Sequence, residues 1–276
     1  MSDKKYYAER KGLLHPEPMD FEMLKKGFLW KFEMLEREFY FREATGYECV
    51  DEGRITGTWG DDIEAFFYLQ LRMHDIWPIS NNIDGYNERK LFTIIELLFD
   101  HVSEPQHKYY HSWNDCGWHT SDYDREKGRE RYRTEMNSIL RDYDSGYTLS
   151  GTGEILSISP TGLETLSEEV AQTDDPENID NRINAAIIKY RRYNASLSDK
   201  KEAIRTLADV LEYFRSKNIR LPSRDDDDLF RIINNFDIRH HNRMQQRGYD
   251  REIWYDWMFY TFLSSINVLL KLTFEV

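Results

Sequence analysis

Cysteine is scarce: Cys49 and Cys116 are the only two in 276 residues. So sparse a pair builds no disulfide framework, and a reducing, cytoplasmic setting is the expectation. No window approaches the roughly 18 consecutive apolar residues of a membrane-spanning helix, so no membrane partner is expected. The opening string MSDKKYYAERKGLL carries no apolar stretch of the kind a secretory leader needs, and none is expected. Positive charge is also short, with 37 Lys+Arg against 50 Asp+Glu and a formal net charge of -13. That balance argues against a non-specific, whole-surface grip on nucleic acid. Missing too are a Gly-x-x-x-x-Gly-Lys phosphate loop, a Gly-x-Gly-x-x-Gly turn after a strand and a Gly-x-Ser-x-Gly elbow. Nothing in the motifs therefore points to a nucleotide cofactor or a serine hydrolase, and no cofactor is expected.

What is present suits a folded chain. Apolar residues make up 40% and aromatic residues 14%, too rich for a disordered protein. The length fits one large or two medium domains, with core enough to need no disulfides or metals. Charge is unevenly spread. Residues 1–174 hold 20 Lys+Arg and 34 Asp+Glu, a net of -14, while residues 175–276 hold 17 and 16, a net of +1. The acidity thus belongs to the first part, and any basic face must be local to the second.

Helical periodicity dominates. In residues 19–44, Phe21, Leu24, Phe28, Phe32 and Leu35 recur at spacings of three and four. Further helices are expected from Asp61 or Asp62 to about Ile76, from Tyr86 to His101 and from Asp124 to Tyr143. Gly46–Trp59 reads as turn-rich, and residues 102–123 lack a clean period. A short β-hairpin is expected near 147–158, where Tyr147–Leu149 and Glu154–Ile158 flank Ser150-Gly151-Thr152-Gly153. The polar AQTDDPE segment, Ala171–Glu177, is the expected boundary between domains at 1–174 and 175–276. Four helical segments follow, at Ile179–Tyr193, Asp199–Ser216, Asp225–Phe236 and Asp250–Phe274. The last is apolar around most of its circumference, as in a central or interface helix. The expected fold is mainly α: an acidic, α-rich N-terminal domain with one small hairpin, and a C-terminal helical bundle.

Several clusters carry chemistry. His107, His111, Cys116 and His119 form an H-x3-H…C-x2-H pattern of zinc-ligating types. One Cys with three His is not a common structural-zinc set, and the expectation is an aromatic and polar loop without metal. The run Asp225–Asp228 precedes an apolar helical pattern, where aspartates cap and favour the helix dipole. Arg191 and Arg192, between Tyr190 and Tyr193, either contact RNA by charge and stacking or form a solvated helix face. Arg125–Arg133 interleaves Arg with Glu and Lys as an exposed, salt-bridged helix does. Arg239, His240, His241 and Asn242 lie between a short apolar helix and the long final one, as a phosphate site with a His base or as a hydrogen-bonded loop.

Three stretches of the second part carry a resemblance: RINAAIIKYRRYN (Arg182–Asn194), KKEAIRTLADVLEYFR (Lys200–Arg215) and DLFRIINNFDIRHHNRMQQ (Asp228–Gln246). Together with the aromatic helix after them, residues 175–276 resemble a HEPN-type helical domain. Phe236–Asn242 is similar to the signature of C-terminal domains in AbiJ-like abortive-infection proteins. Tyr7–Gly12 and Tyr143–Tyr147 are similar to the N-terminal region of that class. The resemblance implies bacterial antiviral defence, with a trigger from another protein or a phage. It also implies a homodimer through the C-terminal domain and metal-independent cleavage of an RNA substrate. Arg239, His240, His241 and Asn242 would be the catalytic residues. The family pattern sets its His four to six residues after the Arg; here Arg243, Met244 and Gln245 stand there and the histidines follow Arg239 directly. A non-catalytic dimerisation or partner-binding module is the alternative.

Overall fold

The computed structural model describes residues 7–12, 18–168, 173–236, 238 and 248–273. The chain divides into two compact units, Met1–Ile155 and Leu156–Val276. Both are mainly helical, as the periodicity requires. Among the described residues, no helix is long and apolar enough to cross a membrane.

In chain order, the first unit begins with α1 (Tyr7–Arg10), α2 (Phe21–Arg37) and α3 (Arg42–Thr45). Strands β1 (Gly46–Cys49) and β2 (Gly53–Thr56) follow, then α4 (Ile63–Leu71), α5 (Ile79–Asn82) and α6 (Glu88–His101). Strands β3 (Glu104–His111) and β4 (Gly117–Asp124) lead into α7 (Arg125–Leu140) and β5 (Tyr147–Leu149), and β6 (Ile155–Ser157) runs across the division between the units. The four longest of these helices, α2, α4, α6 and α7, start where side chains satisfy otherwise orphaned N–H groups. Asp20 accepts from Met23 at 2.8 Å, Asp62 from Ala65 at 2.9 Å, Asn87 from Lys90 at 2.9 Å and Asp124 from Lys127 at 3.0 Å. Each such cap is worth about 1 kcal/mol.

The core of this unit is where α7 packs on α2 and α6. Leu24, Phe28 and Leu35 of α2 and Leu91, Ile94, Ile95 and Leu98 of α6 are fully buried, with Tyr132, Met136 and Leu140 of α7. Tyr132 donates its hydroxyl to the Ile95 carbonyl at 3.1 Å, so this buried ring keeps a partner. Gly128 lets α7 approach the start of β3: a Cβ there would lie 2.5 Å from the Ser103 Cα.

The three strand pairs are separate two-stranded sheets. The hairpin expected near 147–158 is β5–β6. Two further hairpins, β1–β2 and β3–β4, occupy the stretches that showed only turns or no period. Their short strands carry Gly, Cys, His and Lys rather than alternating apolar residues, so period-two patterning is faint.

The second unit holds α8 (Glu164–Glu168), α9 (Asp180–Arg191), α10 (Leu197–Ser216), α11 (Ser223–Asn235) and α12 (Arg251–Thr273). Ser196 and Asp199 form a reciprocal capping box at the start of α10. The stripe Ile204, Leu207, Val210, Leu211 and Phe214 is buried, and packs with Ile183 and Ile187 of α9 and Phe259, Phe262 and Ile266 of α12. Tyr190 stacks on Phe259 with ring centroids 3.8 Å apart and planes at 11°, and donates its hydroxyl to Asp256. The polar segment around Asp175 is tied into this unit: Asn178 and Tyr213 donate to Asp175, and Thr173 donates to Asp180 at 2.9 Å.

One ion pair bridges the first core. Lys31 of α2 meets Glu135 of α7 at 2.5 Å, with both side chains nearly buried, and Arg131 reaches the other Glu135 oxygen at 2.9 Å. Removing one partner strands a charge. Glu135→Ala is therefore expected to lower stability by roughly 3 kcal/mol, read from urea denaturation, while Arg131→Ala costs under about 1 kcal/mol because that partner is exposed.

Candidate metal centre

The two added hairpins grow from helix ends. Gly46 opens β1 directly after α3, with φ 70°, and a Cβ there would lie 2.0 Å from the Ile55 carbonyl oxygen. Only glycine accepts both the left-handed backbone and that approach. Cys49 ends β1 opposite Gly53. In the second hairpin, Tyr109 faces His119 and His111 faces Gly117. Alternation puts Tyr109, His111 and His119 on one face and Tyr110 and Trp118 on the other. The turn between the strands needs left-handed backbone at Asn114 (φ 52°), Asp115 (φ 56°) and Gly117 (φ 99°), and it delivers Cys116 beside His119.

Four side chains from the two hairpins converge. One ligand atom each from Cys49, His111, Cys116 and His119 lies within 4.8 Å of all the others. Cys49 Sγ is 3.8 Å from His111 Nδ1, and Cys116 Sγ is 3.1 Å from His119 Nε2. Cys49 and His119 are buried, Cys116 and His111 partly so. Both cysteines are free thiols. The far nitrogen of His111, Nε2, meets Asp51 Oδ2 at 3.1 Å, and the Val50 N–H donates to Cys116 Sγ at 3.4 Å. Burial first, then the neighbouring Arg42 and His111, draws the His119 imidazole below its usual range, toward the neutral form. Two thiols and two imidazoles on one locus are donors for a thiolate-accepting metal of tetrahedral habit.

This set differs from the four residues singled out in sequence. His107 is exposed and lies four residues before His111 along β3, at a left-handed kink in the strand (φ 48°). A helix would have stacked the pair; a strand separates it. Cys49 takes its place from 62 residues earlier than His111. The only sequence signal for Cys49 was its position beside a Gly-rich turn.

The other candidates separate in the same way. Arg191 is buried in the second unit, donating from Nε to the Ser157 carbonyl at 2.9 Å and from Nη1 to Ser167 Oγ at 3.0 Å. With Tyr190 stacked in the core, these two residues are structural, while Arg192 is exposed and Tyr193 half-buried. The aspartate run does not cap α11, whose cap position is Pro222; Asp225 and Asp226 lie in its first turn and Asp227 and Asp228 just beyond it. Asp226 is buried against Arg215 Nε at 3.3 Å, and Asp227 meets the same guanidinium at 3.4 Å. The run therefore pairs with α10 as well as favouring the α11 dipole. In the Arg125–Arg133 segment, Lys127 pairs with Asp124 and Arg131 with Glu135 along the helix, while Arg125 reaches Glu43 at 2.7 Å and Arg129 reaches Asp100 at 3.8 Å, so its charges bridge neighbouring turns and other elements alike. Arg239, His240, His241 and Asn242 lie outside the described residues.

Comparison of the chain with protein-family models, with curated proteins and with solved structures returned no significant match.

Arg42 fastens the hairpins to the helices. Its guanidinium donates to the Trp118 carbonyl and lies 4.4 Å from the Phe39 ring centroid and 4.5 Å from that of Tyr47. Arg42→Ala is expected to cost roughly 1–3 kcal/mol. Amide hydrogen exchange should localise the loss to residues 46–56 and 104–124, with the second unit unchanged.

Proposed function

We propose that this chain is an effector of the abortive-infection type, whose second unit cleaves RNA without a metal. The observation that carries this reading is the Arg239-His240-His241-Asn242 run. In sequence it falls between α11 and the long α12 of a mainly helical unit, where the resemblance to HEPN-type domains puts the catalytic segment. The residue types suit the reaction. A neutral imidazole of His240 or His241 takes the proton of a ribose 2′-hydroxyl, the 2′ oxygen attacks the adjacent phosphorus, and the 5′ oxygen leaves with a proton. Arg239 holds the phosphate through its planar fork and offsets the charge that builds on its oxygens. Asn242 orients the substrate or a histidine. The nearly neutral second part of the chain tolerates a local RNA contact that the acidic first part repels.

A second reading is favoured by a specific feature of α12. Ile253, Trp254 and Trp257 are 67%, 39% and 43% exposed and share one face of its first turns. Aromatic side chains on such a face are typical anchors of a protein interface. A homodimer through this face serves either reading, since paired copies would assemble one RNA site.

With purified full-length protein and total RNA, Arg239→Ala and the His240→Ala/His241→Ala pair are expected to abolish cleavage while circular dichroism stays unchanged. Wild-type protein that leaves RNA intact both alone and during phage infection, yet dimerises through Trp254 and Trp257, would replace the enzyme reading with the interaction module.

A further inference from the structure

We infer that Cys49, His111, Cys116 and His119 bind one Zn²⁺ ion, which clamps the β1–β2 hairpin to the β3–β4 hairpin as a closed, non-catalytic centre. The inference is independent of the RNA reading, because every ligand belongs to the first unit.

Geometry is the main ground. With Zn–S near about 2.3 Å and Zn–N near about 2.0 Å, a tetrahedral site has ligand–ligand edges of roughly 3.3–3.8 Å. The Cys49–His111 edge is 3.8 Å, the Cys116–His119 edge is 3.1 Å, and every pair among the four donor atoms falls within 4.8 Å. Closing on an ion then takes adjustments of side chains on two short hairpins, with no rearrangement of helices.

The groups behind the donors support the same conclusion. His111 turns Nδ1 toward Cys49 and Nε2 toward Asp51. A carboxylate on the outer nitrogen fixes the tautomer that leaves Nδ1 free to ligate. The Val50 N–H aimed at Cys116 Sγ stabilises a thiolate, the ligating form. Binding releases the two thiol protons to solvent, and Zn²⁺ with two thiolates and two neutral imidazoles is neutral overall, which a largely buried site requires. Two thiolates with two imidazoles favour zinc over calcium or magnesium, which take oxygen. All four tetrahedral positions are filled by protein, so none is left for a substrate water. His107, on the same hairpin but exposed, is an internal control.

The test uses full-length protein purified under reducing conditions. Elemental analysis is expected to give about one zinc per chain. After removal by chelator, Co²⁺ is expected to restore the intense visible bands of a tetrahedral thiolate site. His107→Ala should retain both signals. Cys49→Ser and His119→Ala should lose the bands, and Asp51→Ala should weaken Co²⁺ binding by about 10-fold. Should the ligand variants fail to fold, the wild-type zinc content and Co²⁺ spectrum decide the matter alone. Folded, reduced wild-type protein that carries no zinc and gives no tetrahedral Co²⁺ spectrum overturns the proposal. So does a Cys49–Cys116 disulfide in protein isolated under reducing conditions, or a signal that depends on His107.

Discussion

A two-stranded sheet in water is marginal at best, and the three sheets among the described residues are all two-stranded and unjoined to one another. The β1–β2 and β3–β4 hairpins must therefore be held by something other than their own ladders. Side chains supply it. Arg42 reaches from α3 to the Trp118 carbonyl, and the Tyr47, Tyr109 and His111 rings surround His119 at centroid distances of 4.9, 5.5 and 5.3 Å. Cys49 and Cys116 complete the contact. A zinc ion here would act as a cross-link where the core is thinnest. This is the place where folding energy is most useful, because the helices beneath are already well packed.

That helical base explains how so few residues position four donors. β1 follows α3 without a linker, β3 follows α6 after two residues, and β4 runs straight into α7. Each hairpin thus leaves the core in a direction set by a packed helix. The Arg125–Glu43 pair at 2.7 Å ties the start of α7 to α3, which aligns the roots of both hairpins. Gly46 and Gly128 allow the close approaches on which those roots depend. The second unit is built more simply: α10 inserts its apolar stripe against α9 and α12, Tyr190 bonds to Asp256 and Asp226 pairs with Arg215.

Legibility in the sequence followed the strength of the periodic signal. The stripe of α10 and the core of α2 were readable because apolar residues recur every three or four positions over many turns. The β5–β6 hairpin was readable because a double-Gly turn sits between alternating strands. The β3–β4 hairpin was not, since EPQHKYYH and GWHTSDYD lack the apolar alternation of a half-buried strand: their faces are occupied by His, Tyr, Lys and Asp. Three of the four metal donors could be listed from composition, but His107 was grouped with them under a spacing that only a helix would make meaningful.

The amino-acid sequence alone determined the helical class, the approximate position of every described helix of nine residues or more, and most of the core. Those follow from local periodicity and capping, which neighbouring residues supply to one another. It also determined the charge division, with the excess of acidic residues confined to residues 1–174. Tertiary structure alone decided that Cys49 meets His111 across 62 residues, that His107 stays out, and that Arg191 and the aspartates of α11 are structural partners. Such contacts depend on how two hairpins leave a packed helical core, and no local pattern in the chain encodes that direction.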